Sequence, residues 1–492
     1  MEESGELVEM SAHRVVQALA RGDLTAERYT AGLLRRCEAG RALNAFITLE
    51  SERVLEAARG CDLRRRGAGA LGALHGLPVA IKDSINTRDY PTTAGTAALR
   101  HFTPAHDAAI VDALTGAGAI VLGKTNLHEL SFGWTSNNRA FGPVRNPYDT
   151  ARIAGGSSGG SAAAVLAGVC PMAIGTDAGG SIRIPASFSG VFGHKPTFGR
   201  VGLYPPSAFG DVSHVGPMSR TVADSALMLD AIKGPDSRDW YSLPDDGVSY
   251  HRQVGQGSLK GKRVALSPTL GYHEPTPAVR AAVEQAAKVF ADLGAVVEEA
   301  DPFTESPQPV FQALALGGFW ALLRSMTPEK VAVMDPGLVA ACRAGEAVTQ
   351  EQYIEAIGRR SVIGARLRQF FDRYDILLSP TMPITAPYAE PHGDGQPDPT
   401  NYPGWLSYTW AFNLTRNPSA SIPCGLADGL PIGLMVTGPL YDDLGVLQAC
   451  HAYEEAAVAA WPGEALAAAL AKIVQPGDRS ATVKIKPVRD LS

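Results

Sequence analysis

Three short segments of this sequence place reactive side chains where ordinary packing would not. In Gly175-Thr176-Asp177-Ala178-Gly179-Gly180-Ser181-Ile182-Arg183 a glycine pair directly precedes a serine. Consecutive amides of Ala178, Gly179, Gly180 and Ser181 can converge there on one oxygen, which is what acyl transfer needs in its tetrahedral transition state. A second such loop, Gly155-Gly156-Ser157-Ser158-Gly159-Gly160-Ser161, opens into the small apolar run 162–167. A helix there would aim free amides and a positive dipole end at the loop. The third segment ends in Lys82, after the apolar run 77–81. Desolvation in such a place lowers an ammonium's pKa, and a neutral lysine is a base. Asp177 and Arg183 flank the second glycine pair, and their placement predicts a bracing ion pair, with Thr176 in a similar supporting role.

Two other motifs are decoys. Residues 118–125 match the phosphate-loop pattern G-x-x-x-x-G-K-[ST], but their middle is Ile120-Val121-Leu122, which reads as a strand and not as a turn cradling an anion. Residues 155–159 match the G-x-S-x-G nucleophile elbow, yet an elbow needs a strand before it, and 149–154 is a poor strand candidate. A Ser-His-Asp arrangement would have to take its base from His194, His214, His273, His392 or His451, none of which stands in a distinctive context.

The elements that must position these groups read as α/β. Apolar residues at helical spacing predict two helices between Ser11 and Cys37, broken at Gly22-Asp23. The runs 77–81 and 119–122 predict buried strands, with a helix over 106–114 between them. Strands at 264–266 and 296–297 flank a helix starting near Pro277. Residues 143–220, rich in Gly, Ser, Pro and Ala without a clean period, predict irregular backbone near a site. Residues 388–403 read as an exposed loop and 476–492 as a loose tail.

Composition narrows the function classes. With 492 residues, 45% hydrophobic content and a formal charge of −6, the chain can bury a large core and offers no basic surface for nucleic acid. No stretch reaches the ~18 apolar residues of a membrane span, and the acidic start MEESGELVEM lacks the features of a secretory signal, so a cytoplasmic location is expected. The six cysteines, Cys37, Cys61, Cys170, Cys342, Cys424 and Cys450, are scattered without metal-ligand spacing and read as free thiols. No metal and no cofactor is expected.

These residues resemble the amidase signature family. The serine-rich loop, the Gly-Thr-Asp-x-Gly-Gly-Ser-Ile-Arg core and Gly-Leu-Pro-x-x-x-Lys-Asp are all present at similar spacing, together with Gly123-Lys124-Thr125-Asn126, His194-Lys195-Pro196-Thr197 and the late segment Asn417-Pro418-Ser419-Ala420-Ser421-Ile422-Pro423. The resemblance implies a large mixed, twisted β-sheet flanked by helices on both faces. It implies one domain over 1–475, with a variable substrate-pocket region at about 235–412. It also implies that Ser181 is the nucleophile, Ser157 a bridging serine behind a cis peptide bond, and Lys82 the base. Amides 178 to 181 would hold the oxyanion.

The family's corresponding loop runs beside the nucleophile, so Ser131, Phe132, Gly133 and Trp134 are candidate pocket residues. Aromatics at Phe311, Phe319, Trp320, Trp405, Tyr408, Trp410 and Phe412 favour a flat apolar ligand. The expected partner is a small-molecule amide, as in stand-alone arylacetamide-type hydrolases of the family, with ester, anilide or carbamate substrates and a homodimer left open. The alternative is the glutaminase-type component of an amidotransferase assembly.

Overall fold

The computed structural model describes residues 10–67, 69–390 and 408–457. Eleven strands form one mixed sheet: β1 (Phe46–Thr48), β2 (Pro78–Lys82), β3 (Ile120–Thr125), β4 (Met172–Asp177), β5 (Phe192–Lys195), β6 (His214–Ser219), β7 (Arg263–Leu266), β8 (Val296–Glu299), β9 (Ile376–Pro380), β10 (Ser419–Ala427) and β11 (Leu430–Thr437). Their spatial order is β1-β3-β2-β4-β6-β5-β10-β11-β9-β7-β8. Parallel pairing joins β2 to β3 and β4, and β7 to β8 and β9. The long hairpin β10–β11 fills the middle with antiparallel pairing. Helices cover the sheet on both faces, as the sequence leads one to expect.

Local chemistry explains the outer elements. The helix Ala12–Arg21 begins where the Ser11 hydroxyl accepts the Arg14 amide and stops at Gly22 in a left-handed conformation. Thr25 caps Ala26–Ala39 in the same manner. The helix predicted from His106 starts at Ala109, because residues before it run as loop, and it returns the chain to make β3 parallel to β2. Pro277 opens the helix Pro277–Asp292, whose Val279, Val283, Ala286 and Phe290 are buried on one face.

The expectation of irregular backbone over 143–220 needs correction. That stretch supplies β4, β5 and β6 and the helices Gly159–Leu166 and Arg183–Ser189. Both helices are buried at every residue, as are β5 and β6. An element buried all round has no polar face and therefore no period to read. Small residues serve close approach here: a Cβ at Gly160 would lie 2.4 Å from the carbonyl oxygen of Asn126.

The phosphate-loop look-alike is indeed strand β3, and its Lys124 is wholly buried. Lys124 Nζ lies 3.2 Å from Asp83 Oδ1 and donates to the Ile85 carbonyl at 2.9 Å and to Thr92 Oγ1 at 2.7 Å. It ties down the loop that follows Lys82. At the expected exposed loop, Tyr388 and Ala389 are packed, with the Arg152 guanidinium 3.7 Å from the Tyr388 ring centre. The rest of that loop from 391, Trp405, and the tail 476–492 lie outside the described residues. No described helix is long and apolar enough to cross a membrane.

Candidate active site

Lys82 is the last residue of β2 and is completely buried. Its Nζ lies 2.7 Å from Ser157 Oγ and 2.7 Å from Thr176 Oγ1, the latter on the neighbouring strand β4. Burial pulls its pKa down to about 7, against an opposing pull from the Asp177 carboxylate. Near neutral pH a large share of Lys82 is therefore an uncharged amine.

Ser157 sits in the loop leading to the helix Gly159–Leu166, and the Gly156–Ser157 peptide bond is cis. The loop is fixed from several sides. The Ser157 carbonyl accepts from the His128 amide at 3.3 Å and from Ser136 Oγ at 3.1 Å. Ser158 stitches this loop to the other: its amide donates to the Ser181 carbonyl at 3.2 Å, and its hydroxyl donates to the Thr176 carbonyl at 3.2 Å. A Cβ at Gly156 would lie 2.7 Å from the Ser136 amide nitrogen, so no larger residue fits there without displacing backbone.

Residues 178–181 leave β4 and turn into the helix Arg183–Ser189. Asp177 and Arg183 form a buried two-point ion pair, with Nε to Oδ2 at 2.9 Å and Nη2 to Oδ1 at 3.0 Å. Burial alone would raise the Asp177 pKa, but the Arg183 guanidinium and further donors outweigh it and hold the carboxyl well below its usual range. Asn413 completes the cluster, donating to Asp177 Oδ1 at 2.9 Å and accepting from Arg183 Nη2 at 2.6 Å.

One expected oxyanion donor is committed elsewhere. The Gly180 amide donates to Asp177 Oδ1 at 2.7 Å. The amides of Ala178, Gly179 and Ser181 have no acceptor among the described residues. The expected set of four amides is thus reduced to three that are free, because the carboxylate that braces the turn takes the fourth.

Two cavities meet at Ser181. One, of about 300 Å³, is also lined by Ser157, Thr176 and Ala178. The other, of about 610 Å³, is lined by Gly179 and by all four candidate pocket residues, Ser131, Phe132, Gly133 and Trp134, with Phe311 and Trp410 opposite. Phe319 packs behind Phe132, with ring centres 4.5 Å apart, and Tyr408 and Phe412 belong to a separate buried cluster.

The candidate histidine bases lie elsewhere. His194 is buried 3.6 Å from Asp443, and His214 Nδ1 lies 2.9 Å from the Val212 carbonyl. Neither of these, nor His273 or His451, lines either of the two cavities described at Ser181. His392 is outside the described residues. All six cysteines are buried free thiols, and burial pushes the Cys424 thiol far up.

The sequence reading missed four neighbours of the site. Ser136, Ser158, Thr409 and Asn413 act through hydrogen bonds to backbone groups of the two loops, to Asp177 and to Arg183, and only the spacing of Ser158 beside Ser157 hinted at any of them. His128 also lines the larger cavity, where burial lowers its pKa to about 4 and keeps its ring neutral.

Comparison with known proteins identifies the family. The family model described as Amidase matches residues 28–447. A glutamyl-tRNA(Gln) amidotransferase subunit from Chloroflexus aurantiacus is 36% identical over 477 residues, covering 91% of this chain and 97% of that protein. Among solved structures, a bacterial aryl acylamidase of the amidase signature enzymes superposes with a TM-score of 0.86 at 29% identity, covering 94% of this chain and 98% of that one. A glutamyl-tRNA(Gln) amidotransferase subunit from Thermotoga maritima superposes at 0.76, also at 29% identity, covering 91% of this chain and 95% of that one. The chain belongs to the amidase signature family of amidohydrolases.

Proposed function

We propose that this protein hydrolyses a carboxamide through an acyl-enzyme on Ser181, with Lys82 and Ser157 relaying protons. The observation that carries this reading is the 2.7 Å approach of a desolvated Lys82 amine to Ser157 Oγ. As Ser181 Oγ attacks the carbonyl carbon, its proton passes to Ser157 while the Ser157 proton passes to Lys82. The amides of Ala178, Gly179 and Ser181 receive the developing oxyanion. Collapse breaks the C–N bond, and the leaving nitrogen takes a proton from Ser157, which is restored by Lys82. Water then cleaves the ester by the same relay in reverse, giving the carboxylic acid. Asp177, Arg183 and Thr176 position the loop and the base.

For the substrate, the larger cavity supports an apolar acyl group, since Phe132, Trp134, Phe311 and Trp410 supply flat hydrophobic surface beside Ser181. Kinship favours a second reading more strongly than the first: relatives 34–37% identical across about nine tenths of this chain are named as amidotransferase subunits. In that reading the chain works within an assembly and releases ammonia from an amide. The purified chain, assayed alone by mass spectrometry against aryl, alkyl and carbamate amides and against glutamine, separates the two. Turnover of apolar amides without partners supports the stand-alone hydrolase. Turnover of glutamine only, or only with partner proteins added, supports the assembly member.

A further inference from the structure

The two cavities at Ser181 are not equivalent with respect to the proton relay. Ser157 and Thr176 line only the smaller one, whereas Gly179, Phe132, Trp134 and Trp410 line only the larger. Ser131, Ser181 and Phe209 border both. The residues on either side of the seam differ in the same way, Ala178 lining the smaller cavity and Gly179 the larger. A carbonyl carbon attacked by Ser181 with its oxygen among the amides of Ala178, Gly179 and Ser181 therefore lies at the seam, and its two substituents extend into different cavities.

Which substituent goes where follows from the proton. The nitrogen must be protonated as the C–N bond breaks, and the donor has to be within hydrogen-bond reach of it. Ser157 is the relay's donor and faces the smaller cavity alone. Resting on the Lys82–Ser157–Ser181 reading, we infer that the cavity of about 300 Å³ is an amine site, and that the preferred substrate is an N-substituted carboxamide with an uncharged apolar amine, such as an anilide or N-alkyl amide.

The walls fit that ligand. Ile85, Ile110, Leu203, Pro205 and Leu322 are apolar, and no charged side chain lines this cavity among the described residues. Ammonia alone would leave it almost empty, while an apolar cavity of roughly 150 Å³ already holds a benzene ring. The segment 202–209 forms one wall, and its Pro205 and Pro206 are exposed. The acyl group stays on Ser181 in the larger cavity until water arrives.

The test compares kcat/KM for a primary amide and the anilide of one aryl acid, in the wild type and in Leu203→Trp, Ser207→Trp and Ala341→Trp. Leu203 and Ser207 line the smaller cavity and Ala341 the larger. Filling the smaller cavity is expected to lower the anilide rate by about tenfold or more while leaving the primary amide within about twofold. Ala341→Trp is expected to lower both substrates by the same factor. Should the tryptophan variants misfold, wild-type rates across anilides of increasing para-substituent size give the same answer, because an amine site of about 300 Å³ imposes a size dependence that is independent of the acyl group. Equal losses on both substrates in folded Leu203→Trp and Ser207→Trp, or an anilide-selective loss in Ala341→Trp, would overturn the assignment of the cavities alone. Failure to hydrolyse any amide would overturn the parent reading with it.

Discussion

Thr409 Oγ1 donates to the Gly179 carbonyl at 2.6 Å, so a segment far along the chain clamps the turn that presents Ser181. The clamp explains why Gly180 is a glycine. Its φ is +123°, and a Cβ there would lie 2.3 Å from the same Thr409 oxygen. Gly180→Ala is expected to push the turn off Thr409 and misplace the amides of Gly179 and Ser181. Turnover should fall by about a hundredfold or more, with the far-UV circular dichroism spectrum unchanged. Near-normal turnover in a folded variant would remove these amides from the oxyanion site.

Ser181→Ala removes the nucleophile and little volume. Turnover should fall by roughly four to six orders of magnitude while thermal stability is retained. Retention of more than about 1% of activity by a normally folded variant would argue against an acyl-enzyme on Ser181.

The pH dependence has a definite sign. Lys82 must be neutral to accept a proton, and its pKa is drawn down from 10.5 to about 7 by burial. Below that value kcat/KM should climb about tenfold per pH unit, then level off above it. Lys82→Ala should abolish this limb and slow amides more than matched esters, because an amine leaves only with a proton. Equal losses for both, with the limb intact, would make Lys82 structural. The same shift acts on stability. Between about 7 and 10.5 the unfolded chain binds this proton and the folded one does not, so the contribution is complete above 10.5 and is lost as pH falls toward about 7.

Arg183→Met should be among the most destabilising substitutions near the site. It leaves the Asp177 carboxylate buried with the Asn413 amide and the backbone donors as partners but without the guanidinium that pairs with it, a change that typically destabilises by about 3–5 kcal/mol. Denaturant unfolding at neutral pH measures this. Since the pair holds Asp177 below its usual 3.8, its contribution is present above that pH and disappears as the pH falls through the lowered value. Wild type and variant should therefore converge in stability in strong acid. A persistent gap would assign the loss to packing.

Much of the fold was legible where elements have one wet face. The helix Pro277–Asp292 shows its buried stripe as a period, and β2 and β3 announce themselves as apolar runs bounded by glycine. The stretch around the site was not, because β5, β6 and the two short helices are buried at every residue, and β4 at every residue but Thr176. Within the site, the approach of Lys82 to Ser157 was an expectation from resemblance that the geometry displays. The diversion of the Gly180 amide to Asp177 was invisible, since it depends on a rotamer fixed by Arg183 and Asn413. Thr409 and Asn413 had no signal of their own: each acts across more than two hundred residues of sequence, Thr409 through its hydroxyl and Asn413 through both ends of its side-chain amide.

Lys82 and Thr176 are 94 residues apart in sequence and reach each other only because β2 and β4 pair side by side. A slip of one residue in that pairing would turn the lysine to the opposite face of the sheet. Catalytic competence is therefore a late reporter of folding: it waits on long-range strand closure, which is slow compared with helix formation. During refolding, recovery of amide hydrolysis should trail the helical circular dichroism signal, and an activity assay would time the zipping of the central sheet.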